Sequence, residues 1–318
     1  MRFEEIRTIG VIGAGVMGAG IAQVFAQAGY QVRLHARHQA TLDRALARIR
    51  ANQTQQITGG LLTAEQAQAS LDHLFPTTRF EEAVQGVELI NENVSEHLEL
   101  KRHLFRRIEA LVPLDTILTS DTSALPLTKL AEGMQVPERM LVWHWVNPPQ
   151  LIPVVEVVLG PRTDAAIAET VVQMANRIGK VPIVVRRDVP GFVLARLQVA
   201  LLREACHLVQ EGIATERDID QALTAGLGLR WAVLGPLRVM DLGGLQTLLA
   251  VSQNLYPELS RAQEPPSLVQ ELVTHGHLGV STGRGFYTYQ EGEAEQMMAE
   301  RDDKLMRLLR TLGWGGST

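Results

Sequence analysis

The stretch from Thr8 to Arg37 constrains this 318-residue chain most. Thr8-Ile9-Gly10-Val11-Ile12 is a short β-branched run that predicts a buried first strand. Gly13-Ala14-Gly15-Val16-Met17-Gly18 follows without a gap. A mostly apolar helical segment then runs from Ala19 to Ala28, Gly29 closes it, and Gln31-Val32-Arg33-Leu34-His35 predicts a second strand. Strand, G-x-G-x-x-G, helix, strand is the βαβ unit that binds dinucleotides. Gly13 permits the tight turn, and Gly15 has no Cβ to hold the backbone away from a pyrophosphate. Gly18 lets the helix pack close to the strand. Val16 and Met17 complete this turn as cofactor contacts, and the helix start beyond it offers free N–H groups and a positive dipole end to the phosphates. The competing reading is a purely structural glycine turn.

One position departs from the pattern. An NAD site carries an acidic residue at the end of the second strand, where it accepts bonds from the ribose hydroxyls. Here that position is Ala36, followed by Arg37. Loss of the carboxylate removes a charge that would repel a 2′-phosphate, and Arg37 offers a planar fork of donors to one. NADP is therefore expected over NAD. The alternative is that Arg37 is a solvated loop residue at an indifferent site.

The length predicts two domains. Thirty basic against 35 acidic residues leave a net charge of −5, with no basic stripe for nucleic acid. The single cysteine, Cys206, excludes an intrachain disulfide and suits a reducing compartment. It has no metal-ligand spacing around it and reads as a core residue. Glu4 and Glu5 stand where a signal peptide would be basic, and no apolar run is long enough to span a membrane. A cytoplasmic protein acting on a small molecule, with no nucleic-acid or membrane partner, is expected.

Strands and helices then alternate. Helices are predicted over Thr41–Gln56 and, with Thr63 as N-cap, Thr63–Leu74, forming an arm on the nucleotide domain. Strands follow at Glu88–Asn91, Thr116–Ser120, Met140–His144, Pro153–Val158 and Pro182–Val185. Helices fall at Glu96–Ala110, Leu125–Glu132 and Asp164–Ile178. The fold class is α/β, a Rossmann-type doubly wound sheet followed by an all-helical C-terminal domain. The breaker Asp188-Val189-Pro190-Gly191 separates a dinucleotide-binding domain, 1–187, from a helical substrate and dimerisation domain, 188–318. Helices in the second are predicted over Phe192–Gln210, Glu216–Ala225, Gly243–Leu255 and Ser267–His275. Glu291–Leu312 reads as a surface helix, and Gly313–Thr318 as a frayed end.

His144 ends a strand, where ligands collect at the carboxyl edge of such sheets. Glu156 lies twelve residues on, within Val154-Val155-Glu156-Val157-Val158. A carboxylate in so apolar a run is costly unless paired, and an imidazole is its natural partner. Glu156 would fix the ring's tautomer and leave the other nitrogen for proton exchange with substrate. A satisfied core histidine with a capping glutamate is the other reading. Ser123 ends another strand on the same edge and could donate to a substrate oxygen. Asn147 follows in a loop held by Pro148 and Pro149.

Trp143-His144-Trp145-Val146-Asn147-Pro148 with Val155-Glu156-Val157 resembles the H-x-x-N-P…V-E-V signature of the 3-hydroxyacyl-CoA dehydrogenase family. Asp121-Thr122-Ser123 resembles its N-T-S, Asp188-Val189-Pro190-Gly191-Phe192 its D-x-P-G-F, and Thr282-Gly283-Arg284-Gly285-Phe286-Tyr287 its T-G-x-G-F-Y. The likeness is collinear from Ile9 to Tyr289. It implies that His144 is the general acid/base with Glu156 as partner, and that Ser123 and Asn147 position substrate and histidine. It also implies that Glu96 and Lys101 approach the cofactor's ribose and nicotinamide side, although Lys101 alone could be a solvated helix lysine. Hydride would pass between nicotinamide and the β-carbon in an interdomain cleft.

Three departures bear on the substrate. Ala195 stands where the family carries Asn before Arg, Ala36 replaces the ribose acid, and no lysine precedes Lys101 to meet CoA phosphates. Asn147-Pro148-Pro149…Ile152-Pro153 and Leu229-Arg230-Trp231-Ala232…Gly235-Pro236 resemble a branch acting on free acids: gulonate, carnitine and pyridine-ring dehydrogenases. In that reading Arg230 binds a substrate carboxylate. A small 3-hydroxy or 3-keto acid is the expected substrate. A CoA thioester, an imine, or a non-catalytic crystallin-like dinucleotide binder are the alternatives, and a homodimer through the helical domain is expected.

Overall fold

The computed structural model describes residues 2–314. Eight strands form one sheet in the order β3-β2-β1-β4-β5-β6-β7-β8. They are β1 (Thr8–Ile12), β2 (Gln31–His35), β3 (Leu74–Thr77), β4 (Leu89–Glu92), β5 (Ile117–Ser120), β6 (Met140–Trp145), β7 (Val154–Val158) and β8 (Val181–Val185). All neighbours are parallel except β6 and β7. The carboxyl ends of β1, β2, β4, β5 and β6 therefore open on one edge of the sheet, where every expected site residue of this region lies except Glu156, inside antiparallel β7.

The apolar strand sequences explain the arrangement. Parallel strands covered on both faces bury nearly every side chain, so they read as continuous hydrophobic runs. On one face α1 (Val16–Gln27), α2 (Gln39–Thr58) and α7 (Ala165–Arg177) pack Ile21, Phe25, Ile49, Val171 and Met174 onto the sheet. On the other, α4 (Phe80–Val84), α5 (Leu98–Glu109) and α6 (Leu127–Leu130) contribute Phe80, Phe105, Ile108 and Leu130. Phe25 meets Trp143 and Trp145 edge-on, at 5.5 Å between ring centres in each case. Burying each such side chain contributes about 1.5–3 kcal/mol.

The sequence reading runs a helix to Leu74; the structure ends α3 (Ala64–Leu71) earlier and makes Leu74–Thr77 the edge strand β3. Four residues containing Pro76 carry little strand signal, and proline is tolerated only at such an edge. α1 begins at Val16, three residues before the expected start, so the last glycine of the fingerprint already lies inside the helix.

The chain divides into two compact units, residues 1–195 with 301–318, and residues 196–300. The second is helical: most of α8 (Leu194–Gln210), then α9 (Glu216–Gln221), a π-helical stretch Ala222–Gly228, α10 (Leu229–Leu234), α11 (Pro236–Gly243), α12 (Leu245–Leu255) and α13 (Ser267–Thr274). Here α10 and α11 fill a region for which no helix is predicted. The final helix, α14 (Glu293–Leu312), is more than a surface helix. Met306 and Leu309 are buried against Leu151 of the first unit, a contact between residues too far apart in sequence for periodicity to reveal. The expected fraying falls partly on residues 315–318, outside the described residues. No helix among the described residues is long and apolar enough to cross a membrane.

Candidate active site

At the end of β1 the three glycines do different things. Gly13 has φ +107°, and a Cβ there would lie 2.5 Å from the Asn93 carbonyl oxygen. A Cβ on Gly18 would lie 1.8 Å from the Gly13 carbonyl oxygen, so this pair closes the turn against β1. Gly15 is different, since a Cβ there meets nothing within 4 Å. Its open side, with the uncapped first turn of α1 behind it, is the cradle a pyrophosphate needs. The residues present fit a dinucleotide. Gly15→Ala should therefore fold normally yet bind NADH at least tenfold more weakly (about 1.4 kcal/mol), read by fluorescence titration; unchanged affinity would remove Gly15 from the phosphate site. Past β2, Ala36 is buried and Arg37 exposed.

The antiparallel pairing of β6 and β7 sets His144 directly opposite Glu156. This register explains their spacing. His144 Nδ1 and Glu156 Oε2 are 2.6 Å apart, and Glu156 is fully buried. Its other oxygen accepts the backbone N–H groups of Val193 (2.8 Å) and Leu194 (3.0 Å), at the start of α8. Burial works to raise this carboxyl's pKa, but the bonds from His144, Leu194 and Val193 together outweigh it and hold Glu156 below the usual carboxylate range. With Nδ1–H given to Glu156, Nε2 is the free nitrogen. The buried Phe192 ring lies 5.8 Å from the imidazole, on a residue held at φ +47°. That backbone is unusual for a bulky side chain, and such strain collects at functional sites.

A second network joins the ends of β4 and β5. Glu92, fully buried, accepts Lys101 Nζ at 2.7 and 2.9 Å, Ser120 Oγ at 2.6 Å and the Val94 N–H at 2.6 Å. Burial pushes its carboxyl up, against the pull of Lys101 and these donors. Lys101 also reaches Glu96 at 3.3 Å, and Glu96 accepts from Thr122 Oγ1 and the Ser123 N–H. Lys101 is thus buried between carboxylates rather than solvated. Asp121 Oδ1 accepts the Trp145 N–H at 2.7 Å and ties β5 to the residue after His144. Burial pushes Asp121's carboxyl well above its ordinary range, helped by the Glu92 and Glu96 charges and opposed by Trp145 and Lys101.

Ser123, three residues past β5, and Asn147, two past β6, are exposed at the same edge as His144. Arg230 is an exposed residue of α10 in the second unit. Glu92, Phe192 and the Val193 and Leu194 amides were not among the expected site residues. Glu92 leaves a trace in sequence as a lone acid closing the run Leu89-Ile90-Asn91-Glu92, and Phe192 as the last residue of the Asp188–Phe192 motif.

A doubly wound sheet with a phosphate cradle at one strand end and a carboxylate-backed histidine at another is the arrangement a dinucleotide-dependent dehydrogenase needs. The model of the 3-hydroxyacyl-CoA dehydrogenase NAD-binding domain matches residues 8–189, and that of the family's C-terminal domain residues 191–289. The chain belongs to the 3-hydroxyacyl-CoA dehydrogenase family. It is 36% identical to 5-formyl-3-hydroxy-2-methylpyridine 4-carboxylate 5-dehydrogenase of Mesorhizobium japonicum, over 96% of this chain and 98% of that one. It is 35% identical to L-carnitine dehydrogenase of Streptomyces griseus, over 98% and 91%. A crystal structure of a 5-formyl-3-hydroxy-2-methylpyridine 4-carboxylic acid 5-dehydrogenase, described as an NAD+-dependent dismutase, superposes with a TM-score of 0.91 at 35% identity, covering 97% of this chain and 99% of that one.

Proposed function

We propose that the chain interconverts the hydroxyl and carbonyl groups of a small free acid, with His144 as proton donor and acceptor. The observation that carries this reading is the 2.6 Å pair of His144 and Glu156, on the sheet that carries the glycine cradle. When bound, the nicotinamide supplies or accepts the hydride. The chain's own groups do the rest. Nε2 of His144 takes the hydroxyl proton in oxidation and returns it to the carbonyl oxygen in reduction. Glu156 holds the ring in that tautomer and, as a carboxylate kept charged, stabilises the imidazolium. Ser123 donates to the substrate oxygen, and Asn147 orients substrate and ring. Glu96 and Lys101 line the ribose and nicotinamide side, with Glu92 anchoring the lysine.

Ala195 in place of Asn, the absence of lysine before Lys101 and the two free-acid relatives support a free acid over a CoA thioester, and Arg230 is the residue assigned to its carboxylate. Ala36 with the exposed Arg37 supports a preference for NADPH. A homodimer through the second unit is supported by its exposed apolar residues. Leu229, Val233, Leu237, Leu242, Leu245 and Leu249 all face solvent, and Cys206 and Ala294 are the buried apolar residues among those described between 196 and 300.

The test is a matrix of initial rates: free 3-keto acids and acetoacetyl-CoA, each with NADH and NADPH. A higher kcat/KM for a free acid, and for NADPH, is the expected result. Faster turnover of acetoacetyl-CoA would overturn the substrate reading, and a preference for NADH would overturn the role given to Arg37.

A further inference from the structure

Lys180, between α7 and β8, is a buried ammonium with no carboxylate within ion-pair reach among the described residues. Such a charge is expensive to bury, and burial pushes its pKa down to about 7. Its Nζ is committed instead to two backbone carbonyls, Pro149 O at 2.6 Å and Ile152 O at 2.8 Å, and lies 5.4 Å from the centre of the Trp145 ring.

The loop between β6 and β7 shows why such a residue is needed. Asn147-Pro148-Pro149-Gln150-Leu151-Ile152-Pro153 contains three prolines, each lacking an N–H. The N–H groups of Leu151 and Ile152 both go to Pro148 O. The loop thus spends two of its remaining donors on one acceptor, and an outside group satisfies Pro149 O and Ile152 O. The rest of the loop is gripped as well. Gln56 Nε2 donates to Gln150 O at 3.3 Å, Leu151 packs on Met306 and Leu309, and Pro149 presses on Gly20, where a Cβ would lie 2.5 Å from its Cγ.

This loop begins at Asn147, three residues after His144. We propose that Lys180 is a positioning residue: by satisfying both carbonyls it fixes the loop, and through it Asn147 and the end of β6 that presents His144. The proposal rests on the proton-transfer reading given to His144 and Asn147. It does not require the charge, because a neutral amine keeps two N–H donors for two acceptors.

Lys180→Met removes both donors while keeping the apolar stem, and Lys180→Arg restores donors. Four readouts are compared with wild type: kcat, KM, NADH affinity, and amide hydrogen exchange in the peptide spanning residues 146–154. His144→Ala is run alongside. For Lys180→Met we expect kcat to fall at least tenfold, NADH affinity to stay within twofold, and exchange at Gln150, Leu151 and Ile152 to accelerate, with Lys180→Arg recovering most of kcat. A kcat within twofold of wild type, or a loss of kcat without faster exchange in the loop, overturns the proposal. Should Lys180→Met fail to fold, Lys180→Gln decides by the same criteria, its amide being too short to reach both carbonyls. Turnover surviving in His144→Ala rejects the proton-transfer reading itself. An inactive His144→Ala beside an unimpaired Lys180→Met rejects the role of Lys180 alone.

Discussion

His144→Ala should lower kcat by about 10²–10⁴ while leaving NADH affinity within twofold, the range that a positioned general acid/base contributes. The two parts follow from different features. Nε2 is the nitrogen left free by the bond to Glu156, so its removal forces proton exchange onto water. The phosphate cradle at Gly13–Gly18 is built by β1 and α1 and contains no part of His144, so binding should persist. Glu156→Gln should also reduce kcat, because an amide cannot stabilise the imidazolium as a carboxylate does. Steady-state rates and fluorescence titration on the same preparations check both.

Glu92→Ala should produce the largest loss of stability at the carboxyl edge, about 3–5 kcal/mol, the penalty for breaking a buried ion pair from one side. The variant leaves the Lys101 ammonium buried with Glu96 alone, 3.3 Å away, and orphans the Ser120 hydroxyl and the Val94 N–H. Glu92→Gln, which keeps the shape and an acceptor oxygen, should cost less. The order matters because burial already pushes the Glu92 carboxyl up: its charged form is held in place by Lys101 and the two other donors, and is not favoured by the interior itself. Urea unfolding of both variants gives the two numbers. A Glu92→Ala chain as stable as wild type would mean that the Glu92–Lys101 pair is incidental to the fold.

How much of this was legible in the sequence varies with the range of the interaction involved. Thr8–Arg37 could be read because strand, glycine turn, helix and strand are contiguous, and each glycine answers to a local steric demand. His144 and Glu156 could be read as a pair because both lie in apolar strand runs, where a charge must find a partner. That they face one another follows from the antiparallel turn between β6 and β7. Lys101 could be singled out through the family resemblance, but its burial against Glu92 could not be read. Its helix looks amphipathic and solvated, and only the sheet order, which sets β4 beside β5, shows Glu92 and Ser120 converging beneath it. Leu74–Thr77 was missed because a four-residue edge strand with a proline has almost no pattern of its own. Met306 and Leu309 look like one face of a charged terminal helix until Leu151 is found against them. Phe192 closes the Asp188–Phe192 motif, but nothing in that motif announces its φ of +47° or its place beside His144.

The central claim is that His144 and Glu156 act as one catalytic unit, and a double-mutant cycle tests it most directly. kcat is measured for wild type, His144→Ala, Glu156→Gln and the double variant, with NADH affinity confirmed in each. If Glu156 acts through the histidine, the double variant should be no slower than His144→Ala alone, because groups that work as a unit are strongly non-additive. Losses that multiply in the double variant would show that the two residues act independently, and would contradict the account.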